Sequence, residues 1–230
     1  MLLSLQSIDV AYGHAKALHN ISLHLQEGEL VFIVGINGAG KTTLLKTIAG
    51  FLRPSNGRMT FDQRDIIGIP PEEMAKLGVR YIFQDKRVFA KLTVKENLEL
   101  AAHATHTKIS DVIEELVNIH PKFEKLLDVK AKVLSGGERQ ILLITRSLMG
   151  HPRLLLIDEP TEGLSAGVIY QVLGLLQRMK GKISMLIVEQ NLALVESLAD
   201  RVYIMKEGKL YKEITGKRGI EYKEELRKYL

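Results

Sequence analysis

The chain has 230 residues, enough to bury a sizeable core in one large domain. Its 32 Lys plus Arg against 27 Asp plus Glu give a formal charge of +5, which suits a nucleotide, an acidic membrane surface or nucleic acid and selects none of them. The absence of cysteine excludes disulfides and thiolate metal sites; with no export leader and no apolar run near the ~20 residues of a membrane helix, a soluble chain that meets a membrane only through a partner is predicted.

Residues 2–11 alternate apolar and polar around Leu3, Leu5, Ile8 and Val10, and residues 21–25 alternate again, so the chain is predicted to open as antiparallel β. Leu30–Val34 is solidly apolar, as a strand buried on both faces is. A helix follows the glycine-rich turn after it and stops near Gly50, ahead of Pro54. Arg58–Asp62 reads as a short strand, Pro70 to Gly78 as a helix, and Val79–Phe83 as a strand ending at Gln84. From about 85 to 150 the strand signal vanishes. Thr93 and Glu96 form a capping box, and Ser110 is expected to cap a helix carrying Val112, Ile113, Leu116, Val117 and Ile119, which Pro121 ends. Strands return at Arg153–Asp158, Ile183–Glu189 and Arg201–Met205, with helices near 166–180 and 191–199 between them. The charged tail from about 215 is expected to form a last helix, with Tyr222, Leu226 and Leu230 packed on the domain. The fold class is α/β.

Three stretches carry chemistry. Gly35-Ile36-Asn37-Gly38-Ala39-Gly40-Lys41-Thr42-Thr43 fits the phosphate-loop pattern G-x-x-x-x-G-K-[ST] between a strand and a helix. Inward-pointing backbone N–H groups and the helix N-terminus make such a turn an anion cradle. Lys41 is expected to reach the β- and γ-phosphates, and the Thr42 hydroxyl to hold Mg²⁺. Leu154–Pro160 places Asp158 at the C-terminal end of a central strand, suited to Mg²⁺, with Glu159 next to it as a carboxylate able to polarise a water. Leu134-Ser135-Gly136-Gly137-Glu138-Arg139-Gln140 contains an ordinary capping box, yet two adjacent glycines weaken a helix start and fit one that faces phosphate. His103 and His106 share a helical spacing without further metal ligands and read as surface residues.

With L-S-G-G-x-x-Q lying between the two nucleotide motifs, nearly the whole chain resembles an ATP-binding-cassette (ABC) ATPase. The resemblance implies a P-loop NTPase fold: a mixed central sheet, an N-terminal antiparallel β subdomain, and a helical subdomain carrying the signature. Residues 1–84 and 151–230 would form the core of a single 1–230 domain, and 85–150 the helical subdomain. It implies ATP and Mg²⁺ as ligands, Tyr12 stacked on adenine, and Gln84 touching both Mg²⁺ and the attacking water. Glu159 is the implied base. Ser135, Gly136 and Gly137 would act in trans, closing over the γ-phosphate held by the P-loop of a second cassette in a head-to-tail dimer. Further implied partners are membrane permease subunits, received near 85–98, and indirectly a substrate-binding protein. Nucleic acid is not expected. The implied location is cytoplasmic, peripheral on the inner face of the cell membrane.

Two positions depart from the family pattern. Ser165 stands where the family often has aspartate, and Gln190 where it usually has histidine. Gln190 can donate an amide hydrogen bond to the γ-phosphate but carries no charge. Glu162-Gly163-Leu164-Ser165, Val188-Glu189-Gln190-Asn191 and the phrase Arg87–Leu98 resemble the ATPase subunits of branched-chain amino-acid importers and related urea or short-amide importers. Two alternatives stand beside an importer ATPase. A nucleic-acid-maintenance ATPase is disfavoured because the 93 positions from Lys41 to Leu134 carry no heptad pattern. A low-turnover ATP sensor is suggested by Ser165 and Gln190 and opposed by Lys41, Asp158, Glu159 and the signature.

Overall fold

The computed structural model describes residues 1–85 and 87–215. Two sheets organise the fold. The first is antiparallel and contains β1 (Leu3–Tyr12), β2 (Ala15–Leu25), β4 (Asn56–Phe61) and β5 (Arg64–Asp65), in the order β2-β1-β4-β5. The second holds β3 (Leu30–Val34), β6 (Val79–Ile82), β7 (Leu154–Asp158), β8 (Ser184–Glu189), β9 (Arg201–Lys206) and β10 (Lys209–Thr215). Its order is β10-β9-β3-β8-β7-β6; β10 runs antiparallel to β9 and the other neighbours are parallel.

The solid apolar strands of the second sheet divide their side chains between two cores, as the period of two requires. In β3, Val31 and Ile33 enter the core shared with the antiparallel sheet and α1 (Lys41–Ile48). Leu30, Phe32 and Val34 enter the opposite core, with α6 (Ala166–Met179) and α7 (Leu192–Leu198). The remaining helices are α2 (Pro71–Lys76), α3 (Val94–Thr105), α4 (Ile109–Ile119) and α5 (Gly136–Ser147). A third core joins α3, α4 and α5 through Val94, Leu98, Leu116, Phe123, Ile141 and Leu142. The Thr93–Glu96 box caps α3 as expected, with both reciprocal bonds present.

Three details differ from the sequence expectation. Ser110 does not cap α4: the N-cap is Lys108, and the Ser110 hydroxyl turns to the Asp111 carboxylate. A hydroxyl one residue inside the helix has no free first-turn N–H at the right angle to accept from. β10 was not foreseen, because only Leu210 and Ile214 of this edge strand are partly buried and, four residues apart, they leave no period of two to read. β2 begins six residues earlier than the alternation at 21–25, and its register with β1 shifts between Ile8 and Ala11. Such bulges break the period a sequence pattern depends on. The expected tail helix and the packing of Tyr222, Leu226 and Leu230 lie outside the described residues.

Candidate active site

The strand order explains why distant motifs meet. β8 lies between β3 and β7, so the turn after β3, the end of β7 and the end of β8 share one edge of the sheet. This is where an open α/β sheet collects its ligands.

The turn Gly35–Gly40 delivers α1 with Gly40 as N-cap at φ +101°, a conformation that L side chains rarely adopt. No side chain caps this helix. Lys41, 4% exposed, bends back so that its ammonium donates to the carbonyls of Gly35 (2.7 Å) and Ile36 (3.1 Å). It also lies 3.4 Å from Glu159 Oε1. Gly38, Ala39 and Gly40 complete the turn, and the Tyr12 hydroxyl is 3.4 Å from Oγ1 of Thr43, in the first turn of α1. Tyr12 is 50% exposed and is no part of the core.

Across the edge, the Thr42 hydroxyl donates to Asp158 Oδ1 at 3.1 Å, and the Tyr81 hydroxyl donates to Asp158 Oδ2 at 2.9 Å. Burial pushes the Asp158 carboxyl above its usual range, against the opposing pull of these two bonds. A cleft of about 350 Å³ opens beside this pair, lined by Thr42, Lys46, Gln84, Asp158 and Glu162 among others. One hydroxyl and one buried carboxylate at hydrogen-bond distance form a hard-oxygen donor set. It fits Mg²⁺ shared with nucleotide phosphates, since that ion is seldom caged by protein alone. No group of three or more His, Asp or Glu able to hold a metal occurs among the described residues.

Glu159 sits at φ +47°, an uncommon backbone state for a non-glycine residue, and its N–H donates to the Val188 carbonyl. Three donors surround its carboxylate. Lys41 is one; Gln190 Nε2 donates to Oε1 at 2.8 Å; Gln84 Nε2 lies 3.4 Å from Oε2. Gln190 Nε2 also meets Asn37 Oδ1 at 2.6 Å, so one amide bridges the phosphate loop and Glu159. Gln84 Nε2 reaches Glu162 Oε2 at 2.8 Å.

The signature stretch is built differently. Ser135 caps α5 in a complete box with Glu138, and Lys122 pairs with Glu138 at 2.6 Å. Gly136 is exposed, with open space where a side chain would stand. Gly137 is not: a Cβ there would lie 2.6 Å from Val168 Cγ1 of α6. The second glycine therefore has a packing reason inside this chain, which the sequence reading missed. Ser135, Gly136 and Gly137 make no hydrogen bond with the Gly35–Thr43 turn among the described residues. Ser165 is the N-cap position of α6, and its side chain makes no capping bond. Two further residues went unnoticed in the sequence: Tyr81, which holds Asp158, and Thr161, whose hydroxyl donates to Glu189.

The profile of the ABC transporter family matches residues 18–162. A relative from Pseudomonas aeruginosa, the high-affinity branched-chain amino acid transport ATP-binding protein BraG, is 33% identical across 94% of this chain and 93% of its own length. The chain belongs to the ABC transporter family. A second relative, the xylose/arabinose import ATP-binding protein XylG of Sulfolobus acidocaldarius, is 32% identical over 91% of this chain and 86% of its own. Among solved structures, a dimeric ATP-binding cassette in a post-hydrolysis state bound to ADP and phosphate superimposes with a TM-score of 0.83. It is 25% identical and covers 95% of this chain and all of that one. This ABC cassette is accordingly an ATPase, with ATP as its substrate and the mixed α/β architecture of its solved relatives. No helix among its described residues is long and apolar enough to cross a membrane.

Proposed function

We propose that this ABC cassette hydrolyses ATP at the Gly35–Thr43 edge to drive a membrane importer, for branched-chain amino acids or a related small amide. The convergence of Lys41, Gln190 and Gln84 on Glu159 carries the reading of the chemistry. The backbone of Gly35–Thr43 and Lys41 hold the β- and γ-phosphates, and Tyr12 stacks on adenine. Thr42, Asp158 and Gln84 would hold Mg²⁺, which when bound offsets charge on the phosphate oxygens. Glu159 takes the proton of the attacking water, and Gln190 steadies the γ-phosphate as a neutral donor. Departure of the γ-phosphoryl group leaves ADP and phosphate. Glu159→Gln tests this: turnover should be abolished while ATP binding persists, and unchanged turnover would sink the assignment.

The cargo rests on the relatives' names and on the Glu162–Ser165 and Val188–Asn191 stretches. A sugar importer's ATPase is nearly as similar, so uptake of labelled leucine against arabinose, in vesicles carrying the cassette with its copurifying permease, decides between them. The permease seat we favour is a groove of about 890 Å³ between β6 and the helices α3 and α5, floored by Phe83, Val88, Phe89 and Leu143. Arg80, Arg87 and Arg146 line it and, among the described residues, no acidic one does. Ser135, Gly136 and Gly137 then complete the site of a second cassette, this chain's copy or a sister, head to tail. The cassette would lie on the inner face of the cell membrane through its permease, with a substrate-binding protein met only indirectly.

A further inference from the structure

β8 is buried along its full length, and its residues before the last are apolar apart from Ser184. Its last residue, Glu189, is 2% exposed and has no cation within ion-pair distance among the described residues. A carboxyl in that position is expensive: it is desolvated, and an apolar side chain would suit the surrounding core better. Nothing in the packing of the sheet asks for it. Each of its two oxygens nevertheless has a partner. One accepts from the hydroxyl of Thr161, itself 6% exposed, and the other from the backbone N–H of Gln190 at 3.2 Å.

These bonds tie together two short loops. Thr161 follows Glu159 by two residues, and Gln190 follows Glu189 directly. The backbone bond from Glu159 to Val188 is the second tie between the same loops. Two parallel ties fix both the distance and the rotation between them; a single tie would leave the Glu159 loop free to swivel about it. The rotation decides whether Gln190 Nε2 meets Glu159 Oε1, now at 2.8 Å. We propose that Glu189, through Thr161, is a positioning residue for hydrolysis: the pair clamps the loop after Glu159 to the end of β8 and so aims the Glu159 carboxylate. The inference rests on the reading of Glu159 as the base. A misplacement of a reacting group by about 1 Å costs on the order of 100-fold in rate, so a clamp of this kind has measurable weight.

Steady-state ATP turnover of the full chain tests it. Thr161→Val keeps shape and removes the hydroxyl; Glu189→Leu removes both acceptors. Each should lower kcat about 10- to 100-fold with little change in KM for ATP. The double variant should be no slower than the worse single one, because either substitution already opens the clamp. Thr161→Ser should restore most of the rate. So should Glu189→Gln, whose amide donates to Thr161 while its carbonyl accepts from Gln190. The double variant Thr161→Val with Glu189→Leu replaces both buried partners by apolar groups and should unfold near the parental temperature, so its lost rate is not lost fold. Thr161→Val at the parental rate, losses that multiply in the double variant, or a KM rise that accounts for the loss would each overturn the clamp. Glu159→Gln separates the two readings: if it still turns over, the base assignment fails; if it is dead while Thr161→Val is fully active, the clamp alone fails.

Discussion

Two helix starts with neighbouring glycines, at α1 and α5, look alike as text and are built to opposite ends. The N-terminus of α1 has no side-chain cap; Gly40 turns the chain at positive φ, and the first helical residue, Lys41, folds back over the loop. The N-terminus of α5 is closed by its own Ser135–Glu138 box with Lys122 behind it. Its buried glycine makes room for Val168 rather than for a ligand. The α1 end thus keeps its terminus free of any side-chain cap, with the Lys41 ammonium held over the loop. The α5 end is a helix start closed within its own chain, with Ser135 and Gly136 exposed at its tip. A glycine pair at a helix start does not by itself tell these cases apart; the identity of the cap does.

The largest effect should come from breaking the α1 end. Lys41→Ala removes the one buried cation of the loop, and ATP turnover should fall by about 100- to 1,000-fold, as for loss of a preorganised charge donor. Unfolding midpoints with and without ATP will show whether binding is lost as well.

The two ends should also answer pH with opposite sign. Glu189, behind the α1 site, is pushed up to about 7, chiefly by burial. Its folded pKa lies above the unfolded one, so its contribution to stability is full below about 4.5 and is lost as pH rises to about 7, on the order of 3 kcal/mol. Glu138, in the α5 cap, is held below its usual range: burial raises it, and the bonds from Lys122 and Ser135 outweigh that. Its contribution is present above the ordinary glutamate pKa and fades as pH falls. Denaturant unfolding of Glu189→Gln against the parent at pH 5 and pH 8 checks the first sign. A difference that does not grow between those pH values rules it out.

Gly137→Ala should destabilise by about 1–3 kcal/mol, because Val168 has to move for the new methyl group. Gly136→Ala, in open space, should leave stability within about 0.5 kcal/mol and so isolate any loss of turnover as an effect on the facing site. The smallest expected effect is the cap itself. Ser135→Ala should cost about 1 kcal/mol of stability with ATP affinity of the isolated chain unchanged, read from the thermal midpoint and a binding titration.

The parts legible in the sequence were those written in local pattern. β3, β7 and β8 are solid apolar runs, the phosphate loop is a spacing of glycines with a lysine, and both capping boxes span four residues. What escaped depends on contacts between remote positions. Thr161 and Glu189 are 28 residues apart, Tyr81 and Asp158 are 77 apart, and neither pair has a periodic trace. β10 escaped for another reason: an edge strand with Lys209, Lys212 and Glu213 has little apolar face to repeat. Lys41, Thr42, Gln84, Asp158, Glu159 and Gln190, singled out in the sequence, lie together at one end of the sheet. Their hydrogen bonds came only with the sheet order that brings β8 between β3 and β7.

Tyr81 stands on β6 with its hydroxyl on Asp158, and its ring packs against Phe83 at 4.2 Å between centroids and against Phe51 at 6.0 Å. Tyr81 and Phe83 border both the cleft beside Asp158 and the large arginine-lined groove. The two compartments therefore share a party wall one strand thick. The phenol oxygen of Tyr81 is the direct link between a ring that borders the outer groove and the carboxylate that lines the inner cleft.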